Sequence, residues 1–240
     1  MSYLKVTNIK KTISDNNILK GINFELDKGK VLVVLGKSGA GKTTLIRSLN
    51  FLDFPDEGTI ELDGKMIYNS SSKPLSNKEL QQAHKLMGLV FQNFNLFPHL
   101  TVLKNCMLAE ELEINDKLKE FKKNNKNKKE QQTFYNTLIE EAKNKALSIL
   151  KELGLSDKVD KYPYQLSGGE QQRVSIARAL VLNPKILWGL GGHGDTDLLG
   201  FLSVREGENA QNQDQGQEQG NDLLHTVNVL SFFLFGKVLT

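Results

Sequence analysis

Apolar and polar residues alternate in YLKVTNI, GINFELDKG and GTIELDGKMI, the period of half-buried strands. These three segments predict a small antiparallel sheet near the N-terminus. VLVVLG (31–36) and LMGLVFQ (86–92) run apolar without a break, as strands covered on both faces do. From about Asn93 to Gln165 the period turns helical. TLIEEAKNKALSILKELGL sets Ile139, Ala142, Ala146, Leu150 and Leu153 on one face, and Gly154 stands where a C-terminal cap glycine belongs. After Ile186 the patterning stops. NAQNQDQGQEQGN (209–221) is low in complexity and has nothing from which to build a core.

The charge breaks at the same place. Residues 1–185 carry 29 basic and 21 acidic side chains, whereas 186–240 carry two basic and seven acidic ones. Twelve isoleucines occur up to Ile186 and none after it. Two compositional regimes therefore meet near residue 186. Across all 240 residues, 39% hydrophobic and 25% charged is the balance of a soluble globular chain. A net charge of +3 is too small to single out nucleic acid. The longest apolar run, VNVLSFFLFGKVL, is shorter than the roughly 20 residues a membrane helix needs. The polar, alternating N-terminus is not a signal peptide. Cys106 is the sole cysteine, which excludes an internal disulfide framework and fits a reducing compartment. NDKLKEFKKNNKNKKEQQ holds seven lysines and is expected as a solvated helix extension or loop. No aromatic platform accompanies those charges, so nucleic acid is not an expected partner.

GKSGAGKTT fits G-x-x-x-x-G-K-[ST], with a buried strand before it and a helix, KTTLIRSLNFL, after it. The glycines let the backbone curl until several N–H groups face inward, and the helix N-terminus adds to this anion nest. Gly36, Lys37, Ser38, Gly39, Ala40, Gly41, Lys42, Thr43 and Thr44 are thus candidate nucleotide-phosphate ligands. Lys42 supplies a point charge to the β and γ phosphates, and the Thr43 hydroxyl is a candidate Mg²⁺ ligand. A second constellation follows in LSGGEQQRVSIARAL (166–180). Ser167 is a good helix N-cap, and Val174, Ala177, Leu180 and Val181 are expected to face the core.

The order of a phosphate loop, a glutamine after a strand and then LSGGE resembles the ATP-binding subunit of an ABC transporter. LSGGE resembles that family's signature, and Gln92 in VFQNFNLFPHLTV resembles its Q-loop. RSLNFLDFPDEGTIELDG and FNLFPHLTVLKN look most like the bacterial branch that takes up polar amino acids. The resemblance covers residues 3–187, interrupted by an insertion at about 115–136. It implies an α/β fold: a P-loop NTPase core with a parallel sheet, a small N-terminal antiparallel β subdomain and a helical subdomain over about 93–165, with an incomplete C-terminal part. It further implies ATP and Mg²⁺, transmembrane permease subunits, a second ATP-binding subunit and, indirectly, an extracytoplasmic amino-acid-binding protein. The implied place is the cytoplasmic face of the plasma membrane. Residues 36–43 would hold the phosphates. Ser167, Gly168, Gly169 and Glu170 would touch the γ phosphate of the opposing subunit. Gln92 would approach Mg²⁺ and the attacking water, so Lys42 and Gln92 are the catalytic candidates. Phe94 and Phe97 are candidates either for gripping a permease helix or for local core.

Two departures stand out. Where the family stacks an aromatic residue on adenine, this chain has Ile13, and Tyr3 is a possible substitute. Where the family continues from NPKIL to Asp-Glu, the matching positions are Leu190 and Gly191. Neither can hold a metal or accept a proton. His193, Asp195, Asp197 and His225 are not in the family's setting and are read as ordinary polar positions. Residues 189–222 are expected to be poorly ordered. Two readings stay open: an uptake ATP hydrolase whose sequence is displaced at a junction near 187, and a nucleotide-binding module without catalysis. A soluble ABC protein of translation or repair fits less well, since the chain has one phosphate loop and one signature.

Overall fold

The computed structural model describes residues 2–37, 39–91 and 93–189 and the strand 198–204. The chain divides into two units: Met1–Gln92 with Pro184–Thr240, and Asn93–Asn183.

In the first unit, β1 (Leu4–Ile13) and β2 (Asn16–Leu26) form a hairpin. Its two loop residues, Ser14 and Asp15, both have positive φ, the turn that matches strand twist. β3 (Val31–Leu35) leads through the phosphate loop into α1 (Lys42–Leu49). β4 (Glu57–Leu62) and β5 (Lys65–Asn69) form a second hairpin on Asp63-Gly64, again with both φ values positive. The four hairpin strands make an antiparallel sheet ordered β2-β1-β4-β5. Alternation puts Leu4 and Val6 of β1 beside Ile60 and Leu62 of β4 in the core, and a bulge at Asn8 turns Ile9 in to join them. α1 adds Leu45, Ile46 and Leu49 to it.

α2 (Asn77–Leu86) starts on a capping box in which Ser76 and Glu79 exchange hydrogen bonds. It runs directly into β6 (Met87–Val90).

The second unit is helical. α3 (Val102–Asn124) and α4 (Lys128–Glu152) make an antiparallel hairpin, and α5 (Gly168–Val181) packs on both. The lysine-rich insertion is therefore helix, turn and helix. Ala142, Ala146, Leu150 and Leu153 are buried and Ile139 half-buried. α4 ends as its glycine predicts: Gly154 takes φ +67. The Leu155 N–H donates to Leu150 O at 2.8 Å and the Gly154 N–H to Lys151 O at 3.0 Å, a Schellman closure. Val174, Ala177, Leu180 and Val181 of α5 are fully buried. Because α5 shares this core, the helical unit extends past the expected end at 165 to Asn183.

The chain then returns to the first unit through β7 (Ile186–Gly189) and β8 (Leu198–Val204). The second sheet is ordered β3-β8-β7-β6. β6 and β7 are parallel, as anticipated, but β8 runs antiparallel to both β3 and β7. Two sequence expectations shift here. Residues 198–204 are a strand inside a span expected to be poorly ordered, and the rest of 190–222 lies outside the described residues. β3 was read as covered on both faces, yet it is half-buried, with Leu35 68% exposed. It stands at the edge of this sheet and, among the described residues, pairs on one side only. No described helix is long and apolar enough to cross a membrane.

Candidate functional site: the phosphate loop and its cavity

Gly39 and Gly41 adopt φ +78 and +89, the left-handed region that lets the loop curl. At Gly41 any other residue would be strained, since φ is +89 and a Cβ would lie 2.9 Å from Ile18 Cγ2. Gly41 is also the N-cap of α1 and brings no side chain to that helix's first N–H groups. Those donors and the positive end of the helix dipole therefore remain available to an anion. Lys42 is 5% exposed. Its ammonium donates to Lys37 O at 2.7 Å and to Gly36 O. The cation is thus held within the loop. The Ala40 N–H donates to Lys37 O at 3.1 Å and tightens the turn.

A cavity of about 380 Å³ opens over this loop, within the size range of small-ligand sites. Gly39, Gly41, Lys42, Thr43 and Thr44 line one side, and Ile13, Ser14, Asn16 and Ile18 the other. The β1–β2 hairpin thus supplies the apolar side chains of Ile13 and Ile18 between the polar Ser14 and Asn16, and the loop supplies the cation of Lys42. Ile13, singled out as the substitute for an aromatic residue, is on that side and 45% exposed. Tyr3 does not line the cavity. Its hydroxyl is associated with Lys185, whose ammonium lies 3.2 Å from Asp63. Ser38 and Gln92 lie outside the described residues.

Ser167, Gly168, Gly169 and Glu170 belong to the helical unit. Ser167 Oγ accepts from the Glu170 N–H at 3.3 Å, and the Glu170 carboxylate accepts from the Ser167 N–H and Oγ–H at 2.8 Å each. These bonds hold the Glu170 carboxyl below its usual pKa, with a smaller contribution from Lys158. Its role in this structure is to fix the start of α5.

The chain matches the ABC transporter family over residues 19–188. It belongs to that family. It is similar to the glutamate transport ATP-binding protein GluA of Corynebacterium glutamicum, 43% identical over 184 residues, 77% of this chain and 65% of that protein. It is also similar to the L-cystine import ATP-binding protein TcyC of Bacillus subtilis, 39% identical with the same coverage. The chain thus spans 65% of the length of these relatives. Among solved structures, a dimeric ATP-binding cassette bound to ADP and Pi matches with a TM-score of 0.58 and 26% identity, over 96% of this chain and 82% of that one.

The described residues do not by themselves make up a metal site of the ABC kind. Mg²⁺ takes six oxygens in near-octahedral geometry. The loop offers the hydroxyl of Thr43, an exposed residue. The positions expected to match the family's Asp-Glu pair, Leu190 and Gly191, lie outside the described residues. No described group of three His, Cys, Asp or Glu residues is placed to hold an ion. Leu190, Gly191, His193, Asp195, Asp197 and His225 all lie outside the described residues.

Sequence reasoning missed how the segment after Gln92 is held. Asn105 is fully buried. Its amide donates to Phe97 O, Leu100 O and Thr101 O at 3.0–3.1 Å and accepts from the Phe97 N–H at 2.8 Å. Arg178 donates to Asn95 O at 2.6 Å and to Phe94 O at 3.0 Å. These polar side chains carried no local signal, since their partners are backbone atoms, in the case of Arg178 more than 80 residues away. Phe97 is 41% exposed and Phe94 half-buried.

Proposed function

We propose that this chain is the ATP-binding subunit of an importer of polar amino acids, acting at the cytoplasmic face of the membrane beside permease subunits. The observation that carries the reading is the buried Lys42 ammonium inside a left-handed glycine loop, at the floor of a cavity walled by Ile13. Phosphates would be bound by the loop N–H groups and neutralised by Lys42, and the base would lie on Ile13 by apolar contact. The amino-acid substrate class is supported by the printed roles of GluA and TcyC. Pairing with a second ATP-binding subunit is supported by the dimeric cassette. In such a pair, Ser167, Gly168 and Gly169 would face the nucleotide of the opposing subunit. An extracytoplasmic binding protein would select the solute.

Hydrolysis by this chain is proposed to be slow. Leu190 and Gly191 leave the expected positions without a general base, whose loss alone lowers rate by about 10²–10⁴-fold. This favours a second reading, a nucleotide-binding module that lends its signature to a competent partner subunit. Equilibrium binding of a fluorescent ATP analogue separates binding from turnover. The purified chain should bind it, and Lys42→Ala should weaken binding at least about tenfold. Equal affinity in the two proteins would remove the phosphate-loop reading. Rapid ATP turnover by the chain alone would remove the non-catalytic one.

A further inference from the structure

The far end of the α3–α4 hairpin carries positive charge that the other described residues do not neutralise. Residues 115–136 hold seven lysines and three carboxylates, Asp116, Glu120 and Glu130. All seven lysines are exposed. Lys119 pairs with Asp116 at 2.8 Å. Glu130 is committed to the turn, where it accepts from the side-chain amides of Asn125 at 2.5 Å and Asn127 at 2.7 Å. The other six lysines form no ion pair among the described residues.

This end of the hairpin is a built element. Phe121 and Phe134 stack with centroids 4.3 Å apart and planes 11° from parallel, which ties the two helices together. Asn127 caps α4 by accepting from the Lys129 and Glu130 N–H groups. The Gln131 amide donates to Asn125 O at 2.6 Å. The last buried residue of α3 is Ile114 and the first of α4 is Ala142. Everything between them is stem and charge, with no core of its own to serve. Uncompensated like charges at helical spacing work against the helices that carry them, and such a display attracts a polyanion.

The choice of polyanion follows from the rings. Phe121 and Phe134 each give one face to their mutual stack and both are half-buried, which leaves little ring surface for stacked bases. Clustered lysines on a projecting helical element are what an anionic bilayer surface binds. We propose that the tip of this hairpin is a polybasic contact for anionic lipid headgroups. The selection of a bilayer rests on the proposed place of the chain beside a permease, while the charge display stands without it.

The test uses the full chain and lipid vesicles in a co-sedimentation assay. Vesicles containing about one third phosphatidylglycerol should pull the protein down at low salt and release it at high salt, whereas pure phosphatidylcholine should not. Replacing Lys122, Lys123, Lys126, Lys128 and Lys129 together by Gln should weaken partition at least about tenfold, and replacing them by Arg should preserve it. Equal sedimentation with both vesicle types, or a Gln variant that binds like the parent, would overturn the proposal. So would displacement of the protein from vesicles by an equal phosphate concentration of duplex oligonucleotide. Binding of the ATP analogue is read on the same samples. Its absence in the parent would sink the nucleotide reading and leave the lipid result standing.

Discussion

The guanidinium of Arg178 donates to the backbone carbonyl of Phe94 at 3.0 Å and holds it against α5. Phe94 and Asn95 both sit at positive φ, 57° and 49°, a conformation costly for residues other than glycine. The same guanidinium reaches Asn95 O, and Ser175 Oγ donates to Phe94 O at 3.2 Å. Three bonds from one helix thus hold a strained pair of residues in place. Arg178→Ala should lower stability by about 1.5–3 kcal/mol, the usual worth of charge-assisted bonds left unmade. Arg178→Lys should recover only part, since one ammonium cannot reproduce the fork. Urea denaturation of the three proteins checks the order.

Asn105 makes the neighbouring argument more severe. It is fully buried, and its amide is satisfied by four backbone bonds in the 97–101 turn. Asn105→Leu keeps the volume and strands those backbone groups, at a cost of about 1–3 kcal/mol or more. The exposure of Phe97 depends on this turn. Limited proteolysis should therefore cut the variant near residues 94–101 faster than the parent. An unchanged cleavage pattern would show that the turn holds itself.

Gly58 offers a test of the antiparallel sheet. It sits at φ +112, and a Cβ there would lie 2.6 Å from Thr7 O and 2.7 Å from Asn8 O. Both atoms are backbone of β1 and cannot move aside alone. Gly58→Ala should destabilise the first unit by more than about 1 kcal/mol, the combined effect of strain and overpacking. Gly64, with φ +70 and open space around it, should tolerate Ala better.

How much of this was legible in the sequence depends on whether the cause is local. Alternation located Leu4, Val6, Ile60 and Leu62 because a strand's two faces are written into consecutive residues, whereas Ile9 reaches the core only through the bulge at Asn8. The Ser167 cap and the Gly154 closure were legible for the same reason, each needing only three or four neighbours. The phosphate loop was legible because its glycines are demanded by backbone geometry. The half-burial of β3 was not, because its place at a sheet edge is decided by β8, about 170 residues away. Nor was the pairing of Phe121 with Phe134, which needs the hairpin to close first. Arg178 carried no signal in the sequence because its partners are carbonyls, which every residue has.

Trp188 supplies a prediction in which two effects oppose. Its ring is 2% exposed and its indole N–H has no hydrogen-bond partner among the described residues. A buried, unpaired donor costs about 1–3 kcal/mol, which Trp188→Phe would remove while losing some packing. The two effects oppose, so the substitution should change stability by less than the 3–5 kcal/mol typical of a deleted buried aromatic. A loss in that larger range would mean that the indole N–H is satisfied after all. The denaturation midpoint, followed by circular dichroism, decides it.

Cys106 and Trp188 are the only residues of their kinds and stand in different units. Cys106 is fully buried, and burial pushes its thiol from an ordinary value of 9.0 up to about 12. The folded chain therefore keeps this proton where the unfolded chain loses it. The contribution to stability is whole below pH 9 and falls as pH rises from 9 towards 12. At pH 8 the folded thiol should resist alkylation and react only when the helical unit opens. Trp188 fluorescence reports the other unit. If the two units unfold together, alkylation and fluorescence will share one urea midpoint. If α3–α5 open on their own, Cys106 will be labelled at a lower urea concentration than the one that shifts Trp188 emission. Rapid labelling in the absence of urea would contradict the burial of Cys106 between α3 and α5.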